Sequence, residues 1–285
     1  MSPSPRPTFP GPTHIRYDQL VLHLWGDETS GEVADWMYVS SDKIHHLVFG
    51  LAPGGAFRHS DQFRTIFAAD ELLYVLSGTL ILANPATGEV HRLEPHQAVF
   101  FRRDTWHHAF SFGNEPLRVA EFFAPPPASG ASSAYAQKQE LLVDSKYRDD
   151  RWLGKWPMQK GEHDLEATLR VIRDDDILWR LEGMDGGALG SIYISTEHLT
   201  AGKLELRPGG QTAVLTHAGD KSVHVLEGTV NVYLPDADGP NGQRWFELTS
   251  RDGFYFPEGT RHQFRNISGE PVGLLFAVAP DYRPG

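Results

Sequence analysis

Short apolar runs punctuated by glycine-bearing turns recur along the chain, and they occur as matched pairs. Leu72-Leu73-Tyr74-Val75-Leu76 is followed by Ser77-Gly78, then by Thr79-Leu80-Ile81-Leu82 and the loop Asn84–Gly88. Runs this short, rich in β-branched, aromatic and aliphatic residues, predict strands. The intervening Gly suits a tight turn that needs positive φ. A second copy follows, with Val223–Leu226, Glu227-Gly228 and Thr229–Leu234, and then the longer loop Pro235–Gly242. Closely spaced strands of this kind predict sandwiches or small barrels, because closing a sheet removes its exposed edges.

The two copies are in register. Pro53-Gly54 matches Pro208-Gly209 at an offset of 155, and Tyr74–Thr79 matches His224–Thr229 at 150. The run Pro257-Glu258-Gly259-Thr260-Arg261-His262-Gln263-Phe264-Arg265-Asn266 has a weaker counterpart in Arg102–Ser111, which sets His107 opposite His262, again 155 apart. Three ordered anchors at nearly one offset indicate a single folding unit present twice. Between the units, Ala124-Pro125-Pro126-Pro127-Ala128-Ser129-Gly130 is a stiff-then-flexible linker, and Ala134–Tyr147 is predicted as a short helix. The expected division is a flexible tail over 1–13, an N-terminal barrel over 14–124, a Pro-rich linker and helix over 125–165, and a C-terminal barrel over 166–285.

Composition narrows the function classes. The 285 residues accommodate two domains with cores of their own; 40% are hydrophobic and 22% charged, as in a soluble globular protein. A net charge of -11 argues against nucleic acid or an acidic membrane surface as partner. No apolar run approaches the ~20 residues of a membrane span, and the first residues lack the apolar core of a signal peptide. With no cysteine there is no thiolate ligand, disulfide or cysteine nucleophile. Cytoplasm is the default expectation.

These motifs resemble those of the cupin superfamily, and the tandem arrangement resembles a bicupin. The family pattern has a first motif, G-x5-H-x-H-x3/4-E-x6-G, and a second, G-x5-P-x-G-x2-H-x3-N. The second motif is complete in the C-terminal unit from Pro257 through Gly259 and His262 to Asn266. The resemblance implies an all-β fold of two tandem jelly-roll barrels, a divalent metal held by up to three His and one Glu, and a homodimer. Ligands two or four apart on a strand share a face, and a His from a later strand closes the site across the barrel.

In the N-terminal unit, Glu71 stands seven residues before Gly78, as Glu-x6-Gly requires, and His107 holds the second-motif position. Counted back from Glu71, the first-motif histidines fall at Thr65 and Phe67, which cannot serve. Counted forward from Gly54, His59 falls one residue short, and a five-residue insertion after it reconciles both counts. His59, Glu71 and His107 are therefore the expected metal triad, with Gln62 or Asp61 as a fourth ligand. Two imidazoles and a carboxylate suit non-haem Fe(II), with Mn(II), Ni(II) or Zn(II) as alternatives. Each has a plainer reading: Glu71 as a solvated strand-end carboxylate, His107 as a hydrogen-bonded core imidazole. His108 should face outward, and one of His45 and His46 inward.

The C-terminal unit has the better motif and the poorer ligands. His217 and His262 fit, but Leu215 replaces a His and Lys221 replaces the Glu. A cationic Lys repels a divalent metal, so the expectation is a barrel that has lost its metal. The sharper alternative makes Lys221 a reactive amine beside His217 and His262. His224 should lie on the opposite face. Arg64, Arg102 or Trp106 is expected to orient a small-molecule substrate, Arg58 and Arg103 sit nearby, and Phe57, Phe101, Phe110 and Phe112 are candidate pocket walls. Asp174-Asp175-Asp176 reads as a solvated turn or helix start. The resemblance implies a metal-dependent dioxygenase acting on a small oxygenated or aromatic compound. The alternatives are an O₂-independent sugar or keto-acid isomerase or lyase, or a metal-free binding module.

Overall fold

The computed structural model describes residues 5–28, 30–58, 67–85, 87–103, 105–125, 168–183, 186–236 and 240–283. Among them the chain is nearly all β. The N-terminal half holds β1 (Thr13–Ile15), β2 (Val21–Asp27), β3 (Gly31–Ser40), β4 (His45–Leu51), β5 (Ala56–Phe57), β6 (Asp70–Ser77), β7 (Thr79–Asn84), β8 (Glu89–Leu93), β9 (Ala98–Phe101), β10 (His108–Phe112) and β11 (Leu117–Ala124). The C-terminal half holds β12 (Arg170–Val171), β13 (Leu178–Glu182), β14 (Ala188–Ser195), β15 (Thr200–Leu206), β16 (Asp220–Glu227), β17 (Val230–Tyr233), β18 (Trp245–Leu248), β19 (Gly253–Phe256), β20 (Gln263–Arg265) and β21 (Val272–Ala279). Asp174–Asp176 forms a single 3₁₀ turn. The helix expected over 134–147 lies outside the described residues. No helix of the described residues is long and apolar enough to cross a membrane.

Each unit pairs a seven-stranded sheet with a smaller one, giving two jelly-roll barrels. The large sheets run β12-β9-β6-β11-β4-β3-β2 and β1-β19-β16-β21-β15-β14-β13. Position by position these are the same sheet, which realises the repeat read from the sequence. The turns after β6 and β16 use Gly78 (φ +73) and Gly228 (φ +77), where a side chain would strain the backbone.

The order also shows an exchange that corrects the expected division. β1 precedes the N-terminal barrel in sequence but pairs with β19 of the C-terminal one. β12 precedes the C-terminal barrel but pairs with β9 of the N-terminal one. Residues 13–15 and 170–171 thus complete the barrel opposite to the one they adjoin. Buried carboxylates anchor both strands. The backbone N–H of Tyr17 donates to Asp252 (2.9 Å), and that of Thr168 donates to Glu89 (2.9 Å). Residues 5–12 are not a loose tail either: Phe9 packs 6.0 Å from Tyr255, and Pro7 accepts a hydrogen bond from the Ser40 N–H at 2.7 Å.

Alternation sorts every long strand into two faces. Leu73, Val75, Val99, Phe101, Val119 and Phe123 fill the N-terminal barrel, while Val223, Val225, Phe254, Phe256, Leu274 and Phe276 fill the other. The opposite faces of the two large sheets meet in a third core of Tyr38, Val48, Leu72, Tyr74, Phe100, Phe122, Leu275 and Ala277. His46, fully buried, stacks on Phe122 at 4.3 Å and hydrogen-bonds Ser222 Oγ at 2.8 Å. His224 lies edge-on to it at 5.7 Å, on the face opposite Lys221. His46 therefore joins the two barrels, and Phe122 packs on its ring within this shared core. We expect Phe122→Ala to cost about 3–5 kcal/mol, the range for emptying a buried aromatic site. Urea titration followed by tryptophan fluorescence measures it, and a cost below ~1 kcal/mol would mean that the sheets do not pack through this ring.

Candidate functional site

The N-terminal barrel encloses charge. β6 turns Glu71 inward beside Leu73 and Val75, and it is only 1% exposed. β11, antiparallel to β6, turns Glu121 inward between Val119 and Phe123. The two carboxyls hydrogen-bond each other. Two carboxylates share no proton-mediated bond unless one is protonated, so the pair holds a proton. Burial, with Glu121 beside it, pushes Glu71 well above the usual carboxylate range, and burial pushes Glu121 up to about 7. Glu71 Oε2 is buried with no hydrogen-bond partner among the described residues. Asp35, inward on β3, accepts a hydrogen bond from Trp25 Nε1 and is likewise pushed well up by burial and by Glu121.

His107, immediately before β10, is 7% exposed. Its Nδ1 lies 3.2 Å from the Thr105 carbonyl oxygen. A carbonyl only accepts, so Nδ1 carries the proton. Burial lowers this imidazole to about 4, so at neutral pH its Nε2 keeps a lone pair. Phe101 lies 4.7 Å from the ring. His45 is the inward member of its pair, tilted against Phe123 at 4.4 Å and lowered to about 3 by burial and Arg6.

Of the expected site residues, the structure brings Glu71 and His107 into one barrel interior. His59, Asp61, Gln62 and Arg64 lie outside the described residues. Among the described residues no three His, Asp or Glu side chains converge closely enough to enclose a metal ion. Trp106 is buried beside His107. Alternation along β9 turns Phe101 into the barrel and Arg102 away from it. The Arg102 guanidinium pairs with Asp70 at 3.1 Å and with Glu197 of the other unit, so it ties the barrels together. Phe110 and Phe112 are corrected. β10 turns Ala109 and Ser111 inward, leaving Phe112 57% exposed and Phe110 beneath the Arg58 guanidinium at 5.8 Å. His108 lies on that outer face, as alternation requires.

The C-terminal barrel answers the same positions differently. Lys221 stands where Glu71 stands, one residue into the equivalent strand, and is 3% exposed. Its Nζ lies 3.1 Å from His262 Nε2 and 3.4 Å from His217 Nε2. The Nδ1 atoms of these rings face the carbonyls of Thr260 (3.0 Å) and Tyr282 (2.8 Å). Both Nε2 atoms are therefore acceptors aimed at the ammonium. The rings of Phe264 and Phe276 lie 4.9 and 5.5 Å from Nζ. Burial lowers Lys221 to about 7. Phe67 occupies in the first barrel the place His217 holds in the second, 6.5 Å from His107.

Sequence reasoning missed Glu121 and Asp35, and left open which of His45 and His46 turns inward. A signal for Glu121 was present: in Leu117-Arg118-Val119-Ala120-Glu121-Phe122-Phe123, a carboxylate interrupts the apolar face of an otherwise core strand.

The family model described as the cupin domain matches residues 202–278. No curated protein matches the chain in sequence. Solved structures match across both units. A putative glyoxylate-induced protein from Pseudomonas aeruginosa is 15% identical at a TM-score of 0.65, covering 98% of this chain and 93% of that one. The oxalate decarboxylase of Lactobacillus farciminis, solved as a formate complex, is 13% identical at 0.61, covering 98% and 89%. The Bacillus subtilis oxalate decarboxylase, studied for its Mn(II) centres, is 14% identical at 0.61, covering 97% and 79%.

Proposed function

We propose that this bicupin, two cupin barrels of one superfamily in tandem, is a metal-dependent enzyme whose catalytic centre lies in the N-terminal barrel. Its reaction is read as oxygenation of a small oxygenated or aromatic compound. The observation that carries this is the pairing, in one buried interior, of a carboxylate whose Oε2 lacks a partner among the described residues with a neutral imidazole whose Nε2 is the unprotonated nitrogen. A buried carboxylate oxygen left unmatched, as Glu71 Oε2 is among the described residues, costs stability, and a cation is a partner that suits it. Glu71 and His107, with His59 as the third donor, would hold a divalent ion. The Mn(II) of the Bacillus subtilis protein puts Mn(II) beside Fe(II) as the ion to test.

When bound, the ion supplies Lewis acidity and a point of attachment for oxygen donors. The chain supplies the rest. Glu121, held near neutrality beside Glu71, takes up or returns a proton at its carboxyl oxygen. Phe67, Phe101 and Phe123 wall the interior with rings and exclude water. A homodimer belongs to the same proposal. The outer strands β2 and β13 leave Leu24 (67%) and Leu181 (73%) exposed, and light scattering gives the mass.

The likeness to two oxalate decarboxylases favours a second reading, an O₂-independent lyase acting on a small keto or dicarboxylic acid. An oxygen electrode separates the two. Protein loaded with Fe(II) or Mn(II) is given catechols, hydroxy acids and keto acids, and substrate-dependent O₂ uptake supports the oxygenase. Turnover that persists anaerobically with CO₂ release supports the lyase. Failure to retain any divalent ion sinks both and leaves a binding module.

A further inference from the structure

We infer that the C-terminal barrel carries its own cation, the Lys221 ammonium, at the point where its two imidazoles converge, and that replacing this side chain with a carboxylate opens a latent metal site. The inference goes beyond the reading of the N-terminal barrel and does not depend on it.

Three observations converge. First, the internal repeat puts Lys221 on the same strand position as Glu71, and His262 on that of His107. One residue type therefore separates a carboxylate-bearing interior from an ammonium-bearing one. Second, His217 and His262 come from different segments, yet both aim Nε2 at Nζ, at 3.4 and 3.1 Å. Each ring is locked by a backbone carbonyl on its Nδ1. That arrangement, with one nitrogen tied to an outer carbonyl and the other presented inward, is how proteins pre-orient imidazoles toward a cation. Third, the faces of Phe264 and Phe276 lie beside Nζ, and the carboxylate of Glu182 acts on the ammonium electrostatically without any ion pair to it among the described residues. A divalent ion would have to displace this amine from the two imidazoles and would find no anionic donor in contact. The donor set of the native barrel does not fit a metal. With Lys221→Glu, the same two imidazoles and a carboxylate reproduce a three-donor set suited to Co(II), Zn(II) or Ni(II).

The experiment compares the full-length protein with Lys221→Glu, Lys221→Ala and the double variant Lys221→Glu/His262→Ala. Each is incubated with Co(II), desalted, and read by metal analysis and by the visible absorption of Co(II). Lys221→Glu should retain about one ion per chain more than the native protein, and the double variant should return to the native value. A thermal midpoint that rises with Co(II) only in Lys221→Glu gives an independent reading, because an ion that binds only the folded state stabilises it. Lys221→Ala buries no new charge and stands in if the glutamate variant does not fold. It should also gain Co(II), at an affinity lower by at least about tenfold for want of the anionic donor. Two results overturn the inference: a folded Lys221 variant that gains no ion, or a native protein that loses bound ion on His262→Ala. Neither bears on Glu71 and His107, so a failure of the N-terminal reading shows separately as the native metal content.

Discussion

Glu71→Gln and His107→Ala are each expected to lower the affinity of the native protein for a divalent ion by more than about 100-fold, and to abolish turnover with it. Altering groups that merely orient metal ligands costs 10–100-fold, and removing a ligand costs more. Glutamine keeps the volume and the hydrogen bond to Glu121 but removes the charge, so the effect of Glu71→Gln reads electrostatics and not packing. His107→Ala removes an Nε2 that the Thr105 carbonyl fixes in its unprotonated form. Equilibrium dialysis against Fe(II) and Mn(II) measures both. Arg102→Ala is the contrast. Its guanidinium pairs with Asp70 and Glu197 between the barrels, so its loss should cost stability and leave ion retention unchanged. Native affinity in both site variants would place the ion elsewhere in the chain.

What the sequence made legible depended on periodicity. The repeat, the turns at Gly78 and Gly228, and the opposed faces of Lys221 and His224 follow from two-residue alternation and a constant offset, and the structure carries all of them. The same rule, applied to β9 and β10, would have turned Arg102, Phe110 and Phe112 outward. Those expectations rested on nearness in sequence to His107, and a strand sends neighbours to opposite sides. The strand exchange was not legible. β1 and β12 are three and two residues long, too short for a periodic signal, and their partners lie over 200 and about 70 residues away in sequence. Glu121 was hidden for another reason. It belongs to no motif, and only the pairing of β11 with β6 brings it to Glu71.

Acid should unfold the metal-free protein steeply between about pH 6.5 and 4.5. His45 and His217 are lowered to about 3, His107, His108 and His224 to about 4, and His46 and His262 well below the ordinary value, in each case mainly by burial. In the unfolded chain all seven return to ~6.5. Their contribution to stability is therefore fully present above that value. It is lost as pH falls, because the unfolded state takes up protons that the folded state refuses. Asp35, Glu71 and Glu121 work against this: pushed up in the fold, they hold protons that the unfolded chain has already released. About seven protons gained by the unfolded state against at most about three held by the folded one leave a net uptake of about four near pH 5. At 1.36 kcal/mol per proton and pH unit, that is roughly 5 kcal/mol per pH unit, set against a total stability of about 5–15 kcal/mol. Thermal melts in EDTA from pH 7.5 to 4.5 test it, and a flat midpoint from pH 7 to 5 would contradict the burial of these imidazoles. His224→Phe, which keeps a ring between the sheets, should remove about one proton from the slope, or ~1.4 kcal/mol per pH unit.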